Sequence, residues 1–297
     1  MMPRPLERVS TVGDLSPLVA GWPVETVSAG VTGADRTLGM TGDPDRVARI
    51  ASVGKLLVGV AALVALEEGA IELDEPAGPP GSTVRHLLAH ASGLAFDGDA
   101  TIAAPGRRRI YSNTGIERFA EHLASSAGMP FERYLQAGIL EPLRMDHTEV
   151  RGSPAHAVWS TVADLIRLSR ELLRPTLVSA GTMALATMAH FPELAGIVPD
   201  VGRFDPNPWG LTFEIRDGKR PHWTGARNSA ATFGHFGGSG TFLWVDPEVR
   251  LATVCLADRD FGPWALEVWP RFSDAVLERF SPEPRASRPA RAAGTEE

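Results

Sequence analysis

The residues best suited to chemistry in this sequence are a serine and a lysine three positions apart, in RIASVGKLLVGVAALVALEEG at residues 49–69. Positions i and i+3 share a face of a helix, so Ser52 Oγ and Lys55 Nζ meet at its positive N-terminal end. Lys55 is one of two lysines in a chain that otherwise uses arginine, which cannot lose its proton. Apolar neighbours lower the pKa of this amine, so it can take a proton from Ser52. The spacing alone is weak evidence, because Ser-x-x-Lys also arises by chance.

Two later stretches add groups that a serine nucleophile needs. In RIYSNTG, Tyr111 offers a phenolic proton carrier and Asn113 offers an amide that orients a substrate or the lysine. The alternative for this stretch is an ordinary turn that caps a helix from Asn113. In FGHFGGSGTF, His235 stands in a strand with enough glycine to let a substrate lie against the backbone. The alternative there is a Gly-rich hairpin.

Taken together, S-x-x-K, Y-x-N and H-x-G resemble the motifs of the penicillin-recognising serine hydrolases of class C β-lactamase type. That group also includes family VIII carboxylesterases and D-amino-acid peptidases and amidases. Stretches such as TVRHLLAHASGL, ILEPLRMDHTEV and FGHFGGSGTFLWVDPE are also similar to sequences of this family, and the resemblance covers roughly residues 24–280. It implies a β-lactamase/transpeptidase-like fold of the α+β class (α/β sandwich), with an antiparallel sheet flanked by helices and an inserted helical lobe.

The resemblance also implies a covalent, two-step acyl transfer. Ser52 attacks a carbonyl, and Lys55 and Tyr111 share the work of general base and general acid as a coupled pair. Two backbone N–H groups, which correspond here to those of Ser52 and Gly238, form the oxyanion hole. The implied site residues are Ser52, Lys55 and Tyr111 for catalysis and Asn113, His235, Gly237 and Gly238 for substrate and oxyanion binding. The asparagine steadies the lysine and binds the acyl side chain, the histidine lines the cleft, and no metal or other cofactor is implied.

The third motif departs from the β-lactamase form, which is Lys-Thr-Gly and serves the carboxylate that β-lactams and D-Ala-D-Ala peptides share. His235 and Phe236 replace the cation and the hydroxyl here, and a neutral imidazole is a poor carboxylate partner near pH 7. We therefore expect an esterase that acts on small neutral esters. The alternatives are a β-lactamase or D-alanyl peptidase and, from another class, a catalytically silent relative that binds a ligand.

Other candidate residues give weaker signals. Arg107–Arg109 precede Tyr111, and one hypothesis is that an arginine, with Arg109 sharing a face with the tyrosine, lowers the tyrosine pKa or contacts an anionic substrate group. The alternative is a solvated loop. His86 and His90 have the i, i+4 spacing of a metal pair, but they lack a third ligand, so we predict no metal site. Three tryptophans are candidates for an acyl pocket or for core packing: Trp159, Trp209 and Trp223.

The elements that position these residues follow from hydrophobic patterns. Gly- and Asp-rich turns divide residues 24–50 into two or three antiparallel strands, and the apolar run LLVGVAALVAL predicts a buried helix at 52–68 that ends at Gly69. Helical patterns continue to about residue 190, and β-rich stretches then return. The stretch GPWALEVWPRFSDAVLERF predicts a closing helix that is interrupted at Pro270.

Strands at both ends of the chain predict one α/β lobe from residues 21–69 and 205–281, with residues 70–204 inserted as a helical lobe and the active cleft where the two meet. The tail at 282–297 is predicted to be disordered. Cys255 is expected in a buried strand.

Composition narrows the class of partner. The chain has 297 residues, a net charge of -7 and no Lys- or Arg-rich helix, which argues against nucleic acid and anionic membranes. Its longest apolar run is shorter than the ~20 residues of a membrane span, and the first thirty residues contain no signal-peptide core, so we expect a cytoplasmic protein. The expected partner is a small ester or amide substrate, and the oligomeric state stays open.

Overall fold

The structure is a computed structural model that describes residues 12–281. The strands are β1 (Gly13–Asp14), β2 (Val27–Thr32), β3 (Thr37–Thr41), β4 (Ala48–Arg49), β5 (Glu149–Val150), β6 (Val158–Ser160), β7 (Gly196–Val198), β8 (Gly202–Phe204), β9 (Glu214–Ile215), β10 (Phe233–Gly237), β11 (Thr241–Asp246) and β12 (Leu251–Ala257). The helices are α1 (Ser16–Val19), α2 (Lys55–Glu67), α3 (Val84–Leu88), α4 (Asn113–Ala127), α5 (Phe131–Leu135), α6 (Glu141–Leu143), α7 (Val162–Leu173), α8 (Ala180–Thr187) and α9 (Pro263–Phe280). A 3₁₀ turn (Ala51–Gly54) leads into α2, and a π-helical segment (Gln136–Leu140) joins α5 to α6.

A seven-stranded sheet in the order β1-β3-β2-β12-β11-β10-β9 unites the two ends of the chain. Its central pair joins β12, near the C-terminus, to β2, near the N-terminus. All pairs are antiparallel except β1 with β3, so the sheet is mixed, and the α+β class and the β-lactamase/transpeptidase-like fold are confirmed. Helix α7 packs against β2 and β12, and α9 packs against β12 from the other side.

Because both faces of the sheet are covered, its central strands are apolar at successive positions. In β12, Val254 belongs to the core shared with α2 and α7, whereas the next residue, Cys255, belongs to the core shared with α9. This alternation follows from the two-residue period of a strand. The prediction of a buried strand cysteine is confirmed, since Cys255 is fully buried.

Helix α2 is apolar on every face, and every residue from Lys55 to Ala65 is buried. A helix of this kind has no solvent face and lies in the interior. The prediction of a buried helix from the apolar run is therefore confirmed. Within residues 12–281, none of the helices combines the length and the apolar character that crossing a membrane requires.

Two predicted helix ends differ from the structure. Helix α4 is capped by Ser112, whose Oγ accepts a hydrogen bond from Gly115 N at 2.9 Å, so Asn113 is not the cap and its side chain stays available. The prediction that Pro270 interrupts the closing helix was wrong, because α9 runs unbroken through it. Burial of Trp269 and Phe272 against the sheet offsets the backbone hydrogen bond that a proline removes.

The division into a lobe of residues 21–69 and 205–281 and an inserted lobe of residues 70–204 remains a proposal. Two elements cross these bounds, since β1 joins the main sheet and α7 packs on its face. The predicted tail at 282–297 lies outside the described residues.

Candidate active site

Ser52 lies on the 3₁₀ turn directly before α2. Ala51 holds a φ of 45°, in the left-handed region that costs an L-residue about 1–2 kcal/mol, and so turns the chain sharply into the helix. The hairpin of β10 and β11 fixes this turn from one side. Thr241 Oγ1 donates to Ile50 O at 2.9 Å, and a Cβ at Gly237 would lie 2.4 Å from the same oxygen, so only glycine allows this approach.

The Lys55 amine is buried at the bottom of the site. It donates to Ser52 Oγ at 3.1 Å, to Asn113 Oδ1 at 2.7 Å and to the Ala155 carbonyl at 2.7 Å. Asn113 in turn donates from Nδ2 to Asp97 Oδ1 at 3.0 Å. The three acceptors use all three donors of an ammonium group, so the position of Nζ beside the serine is well defined.

Tyr111, which lies just before the N-cap of α4, contacts the same serine. Its hydroxyl donates to Ser52 Oγ at 2.8 Å, and its ring lies against those of His90 and Trp209, with centroids 4.7 and 5.7 Å away. Lys55 Nζ lies 4.8 Å from the centre of the tyrosine ring. The structure therefore brings the predicted serine, lysine, tyrosine and asparagine into one hydrogen-bonded group.

Burial determines the protonation of both proton carriers. It lowers the pKa of Lys55 to about 7, against the opposing influence of the Asp97 and Glu117 carboxylates. Burial also raises the pKa of Tyr111 above its ordinary value, and the hydrogen bond to Ser52 reverses only part of this increase. Near neutral pH the amine thus exists partly as a free base, whereas the phenol keeps its proton.

His235 lines the cleft as a neutral imidazole. Burial, aided by the charge of Lys55, lowers its pKa to about 3. Its Nδ1 lies 2.6 Å from the Phe236 carbonyl, which can only accept, so Nδ1 carries the proton and Nε2 is an acceptor. The Phe236 side chain packs with the core under α9, its ring centroid 4.4 Å from that of Phe261, and both rings line the cleft.

The two amides predicted for the oxyanion hole belong to residues that line the cleft. Ser52 is the second residue of the 3₁₀ turn, where N–H groups have no partner inside the turn. The Gly238 N–H donates to no acceptor within the described residues. Their catalytic role remains a proposal.

The catalytic cleft is a cavity of about 350 Å³ whose walls are largely aromatic. Trp209 and Phe96 line it, as the acyl-pocket interpretation of Trp209 predicted. Trp223 lies in the core under α9, and Trp159 lies under the Arg151 guanidinium, so neither lines the cleft.

One charged feature of the cleft wall was missed from the sequence. Glu214, in the cleft wall, is buried and bound by Lys219, by His222 at 3.0 Å and by Trp223 at 3.1 Å. Burial opposes ionisation of Glu214, but Lys219 and His222 outweigh it and hold the pKa of this carboxyl below its ordinary value. The signal was available, because Lys219 is the second of the two lysines and follows Glu214 by five residues.

The hypothesis that one of Arg107–Arg109 acts on the tyrosine or on a substrate does not hold for Arg109 and stays a prediction for Arg107 and Arg108. The Arg109 guanidinium is buried and donates to four backbone carbonyls, those of Ala89, His190, Phe191 and Asn207. Every one of its contacts is therefore structural, and it ties the segment before Tyr111 to the cleft wall. Arg107 and Arg108 are exposed.

His86 and His90 do not form a metal pair. Helix α3 ends at Leu88 and His90 has a φ of 55°, so the two side chains lose the i, i+4 register. His90 Nδ1 instead accepts from Ser112 N at 3.2 Å. Among residues 12–281, no group of three or more His, Cys, Asp or Glu side chains is arranged to hold a metal ion.

Comparison with known proteins identifies the family. The model of the beta-lactamase family matches residues 18–277. The D-alanyl-D-alanine-carboxypeptidase/endopeptidase AmpH of Escherichia coli K12 is 28% identical over 147 residues, which are 37% of this chain and 38% of AmpH. A beta-lactamase of the same organism is 27% identical over 133 residues, 36% of this chain and 35% of that protein. The chain thus spans well under half the length of these curated relatives.

Solved structures extend the comparison. A beta-lactamase (Mb2281c) from Mycobacterium bovis is 52% identical, with a TM-score of 0.88 over 90% of this chain and 99% of that chain. EstCE1, a hydrolase with promiscuous acyltransferase activity, has a TM-score of 0.70 at 15% identity, over 88% of this chain and 96% of that chain. The similarity to EstCE1 shows the fold alone.

Proposed function

The chain belongs to the beta-lactamase family of serine hydrolases, and within it we propose that this protein is an esterase that forms an acyl-enzyme on Ser52. The observation that carries the proposal is the convergence of Lys55 and Tyr111 on one serine oxygen, at 3.1 and 2.8 Å. A buried amine with a pKa of about 7 is matched to proton transfer at neutral pH.

In the proposed reaction, Ser52 Oγ bonds to the ester carbonyl carbon while its proton passes to the pair formed by Lys55 and Tyr111. The carbonyl oxygen becomes an oxyanion, which the Ser52 and Gly238 amides stabilise. The bond from carbon to the alcohol oxygen then breaks, and the pair returns the proton to the leaving alcohol. A water molecule repeats these steps on the acyl-enzyme and releases the acid. Asn113 keeps the lysine amine in place throughout.

The preference for an ester without a carboxylate beside the scissile bond rests on the charges of the cleft. The cleft lining contains Asp200 and Asp260 but no lysine or arginine. His235, in the position where the resemblance leads one to expect a cation, is neutral at physiological pH. A carboxylate next to the reacting carbonyl would meet negative charge without a cationic partner, which disfavours β-lactams and D-alanyl peptides.

A β-lactamase is the second candidate, because the Mycobacterium bovis protein with 52% identity is described as one. A D-alanyl peptidase would need the same cationic partner for its substrate carboxylate, and a catalytically silent ligand-binding protein would not need the Lys55 amine beside Ser52. The predicted cytoplasmic location and the absence of nucleic-acid and membrane partners also remain proposals.

The test is hydrolysis of p-nitrophenyl acetate and butyrate by the wild type and by Ser52→Ala, with a chromogenic cephalosporin in parallel. We expect ester turnover that is lost by at least a factor of ~10³ in the variant, with little cephalosporin cleavage. Dominant cephalosporin cleavage would contradict the charge argument and support the second candidate. Labelling of Ser52 by a fluorophosphonate, located by peptide mass spectrometry, separates an enzyme from a binding protein.

A further inference from the structure

We infer that the substrate carries an anionic group on one arm, and that this group binds in an arginine-rimmed side pocket beside the catalytic cleft. The inference rests on the proposed function and names the substrate class of the same site. It replaces the expected small neutral ester by an ester that is neutral beside the scissile bond and anionic at the far end of one arm. The side pocket is a cavity of about 350 Å³ whose lining includes Ile102, Arg107, Arg108, Ile197 and Arg203. Arg109 also lines it, but its guanidinium is already bound to backbone carbonyls.

The side pocket adjoins the cleft. Phe96, Tyr111 and Pro199 line both cavities, and the Tyr111 hydroxyl is 2.8 Å from Ser52 Oγ. One arm of an ester whose carbonyl lies at the serine therefore reaches the side pocket by passing the tyrosine ring. The two cavities together have a volume typical of sites for small molecules.

The sign of the charge reverses from the cleft to the side pocket. Arg107, Arg108 and Arg203 are exposed, and none of them takes part in an ion pair with another residue of the segment 12–281. The cleft lining, in contrast, holds Asp200 and Asp260. A guanidinium group binds a carboxylate or phosphate through two parallel hydrogen bonds, so three unpaired arginines around one cavity complement an anion.

The surface between the arginines is apolar. Seven large hydrophobic side chains are exposed in the described part of the chain, and Phe96, Ile102 and Ile197 are three of them, at 49%, 58% and 54%. All three line the side pocket. Clustered apolar exposure of this kind marks a ligand site, and it indicates that an apolar spacer separates the anion from the ester.

Backbone pairing gives the side pocket a defined shape. Arg109 N donates to Ala195 O at 2.9 Å, and a Cβ at Gly196 would lie 2.5 Å from Arg109 O, so the segment before Tyr111 is closely apposed to β7. Across the β7–β8 hairpin, Ile197 pairs with Arg203. Directly paired residues of antiparallel strands present their side chains on the same face, so strand register places an apolar side chain of the pocket beside one of its cations.

The experiment compares two matched pairs of esters. The mono-p-nitrophenyl ester of suberic acid, with its free carboxylate, is compared with its methyl ester, which places the anion on the acyl arm. For the alcohol arm, 4-butyryloxybenzoate is compared with its methyl ester. We expect kcat/KM to be higher for the anionic member of one pair, and this advantage to shrink as salt rises from 10 to 500 mM, because salt screens exposed charges.

Variants identify the cations. Arg108→Ala and Arg203→Ala should each lower the ratio of kcat/KM for the anionic over the neutral ester by about two- to fivefold, as expected for exposed charge pairs. Arg108→Lys should keep most of the ratio, and Arg133→Ala, an exposed arginine on α5, should leave it unchanged.

Two results would overturn the inference: no anionic preference in either pair, or a preference that survives the loss of both arginines. In that case, Ser52-dependent turnover of the neutral esters would leave the proposed function standing. If none of the four esters shows turnover that depends on Ser52, the proposed function fails and the inference fails with it.

Discussion

Lys55, a single buried amine, is central to the proposed chemistry of this site. Lys55 is held by three acceptors and excluded from water, and burial brings its pKa to about 7. An arginine at this position would stay charged and would not accept the serine proton. Tyr111 complements the amine because burial keeps its hydroxyl protonated, so it donates to Ser52 in the resting site.

The pH dependence of activity should report this amine. Below its pKa, Lys55 is an ammonium ion and cannot accept a proton, so kcat/KM should fall about tenfold per pH unit on acidification below about pH 7. Above that pH the amine is neutral, and the rate should reach a plateau. Initial rates with p-nitrophenyl butyrate between pH 5 and 9, corrected for spontaneous hydrolysis, provide the measurement. A flat profile across pH 7 would contradict a role for the neutral amine.

Asp97 should set the midpoint of that profile. Its negative charge raises the pKa of Lys55, so Asp97→Asn, which keeps an oxygen acceptor for Asn113, should move the midpoint to lower pH. A shift of roughly half to one pH unit is expected, since the carboxylate is exposed and screened.

Asp99→Asn is the matched control for this variant. Asp99 is also exposed, but it pairs with Arg118 and does not act on Lys55. Its midpoint should remain that of the wild type. An equal shift in both variants would indicate a general effect of net charge.

The 3₁₀ turn and strand β10 are held together beside the two proposed oxyanion donors. Ser239 Oγ donates to Arg49 O at 2.7 Å and Thr241 Oγ1 donates to Ile50 O, so the turn after β10 is attached to the chain just before the nucleophile. Gly237 allows the two backbones to approach closely. The spacing of the two proposed oxyanion donors therefore depends on this contact.

Gly237→Ala should separate the turn from the strand. The new Cβ would lie 2.4 Å from Ile50 O, so β10 must shift, and kcat should fall by about 10²-fold as the oxyanion donors move apart. The expected cost in the free energy of unfolding is about 1–3 kcal/mol. Gly218→Ala is the control, because nothing lies within 4 Å of its added Cβ. The measurement is kcat of both variants and the wild type at a temperature at which urea titration shows that both variants are folded. Equal kcat values for Gly237→Ala and Gly218→Ala would contradict the proposed oxyanion hole.

Over the molecule as a whole, one apolar core links the sheet to the helical segments. Helix α2 lies at its centre, and the same cluster contains Val254 of β12, Ile166 of α7 and Phe119 of α4. The cleft lies between this core and the aromatic core under α9. Neither the sheet nor the helical block can bury its apolar surface without the other.

This shared core predicts cooperative unfolding. Tryptophan fluorescence reports mainly on the α9 side of the sheet, and labelling of Ser52 by a fluorophosphonate reports on the active site. Both signals should be lost at the same urea concentration. Coincident midpoints within about 0.2 M support one folding unit. Loss of labelling well before fluorescence would show that the proposed helical lobe unfolds separately.

Local patterns were sufficient to predict much of this protein. Near-neighbour periodicity, which a sequence displays directly, predicts three features. They are the i, i+3 spacing that places Ser52 beside Lys55, the buried helix behind these residues and the strands at both ends of the chain. The resemblance carried by three short motifs identified the fold. Helix caps were less certain, as Ser112 shows, because neighbouring residues compete for one cap position.

Long-range packing accounts for what the sequence did not show. Three consecutive arginines look alike in the chain, yet Arg109 is buried on four carbonyls while Arg107 and Arg108 border a pocket. Likewise, the pKa of about 7 for Lys55 arises from burial by segments up to 100 residues away. Residue type and local spacing were enough to predict the nucleophile and the helix behind it. The protonation of the site and its charged side pocket follow only from the folded chain, because burial and charge environment depend on which distant segments meet.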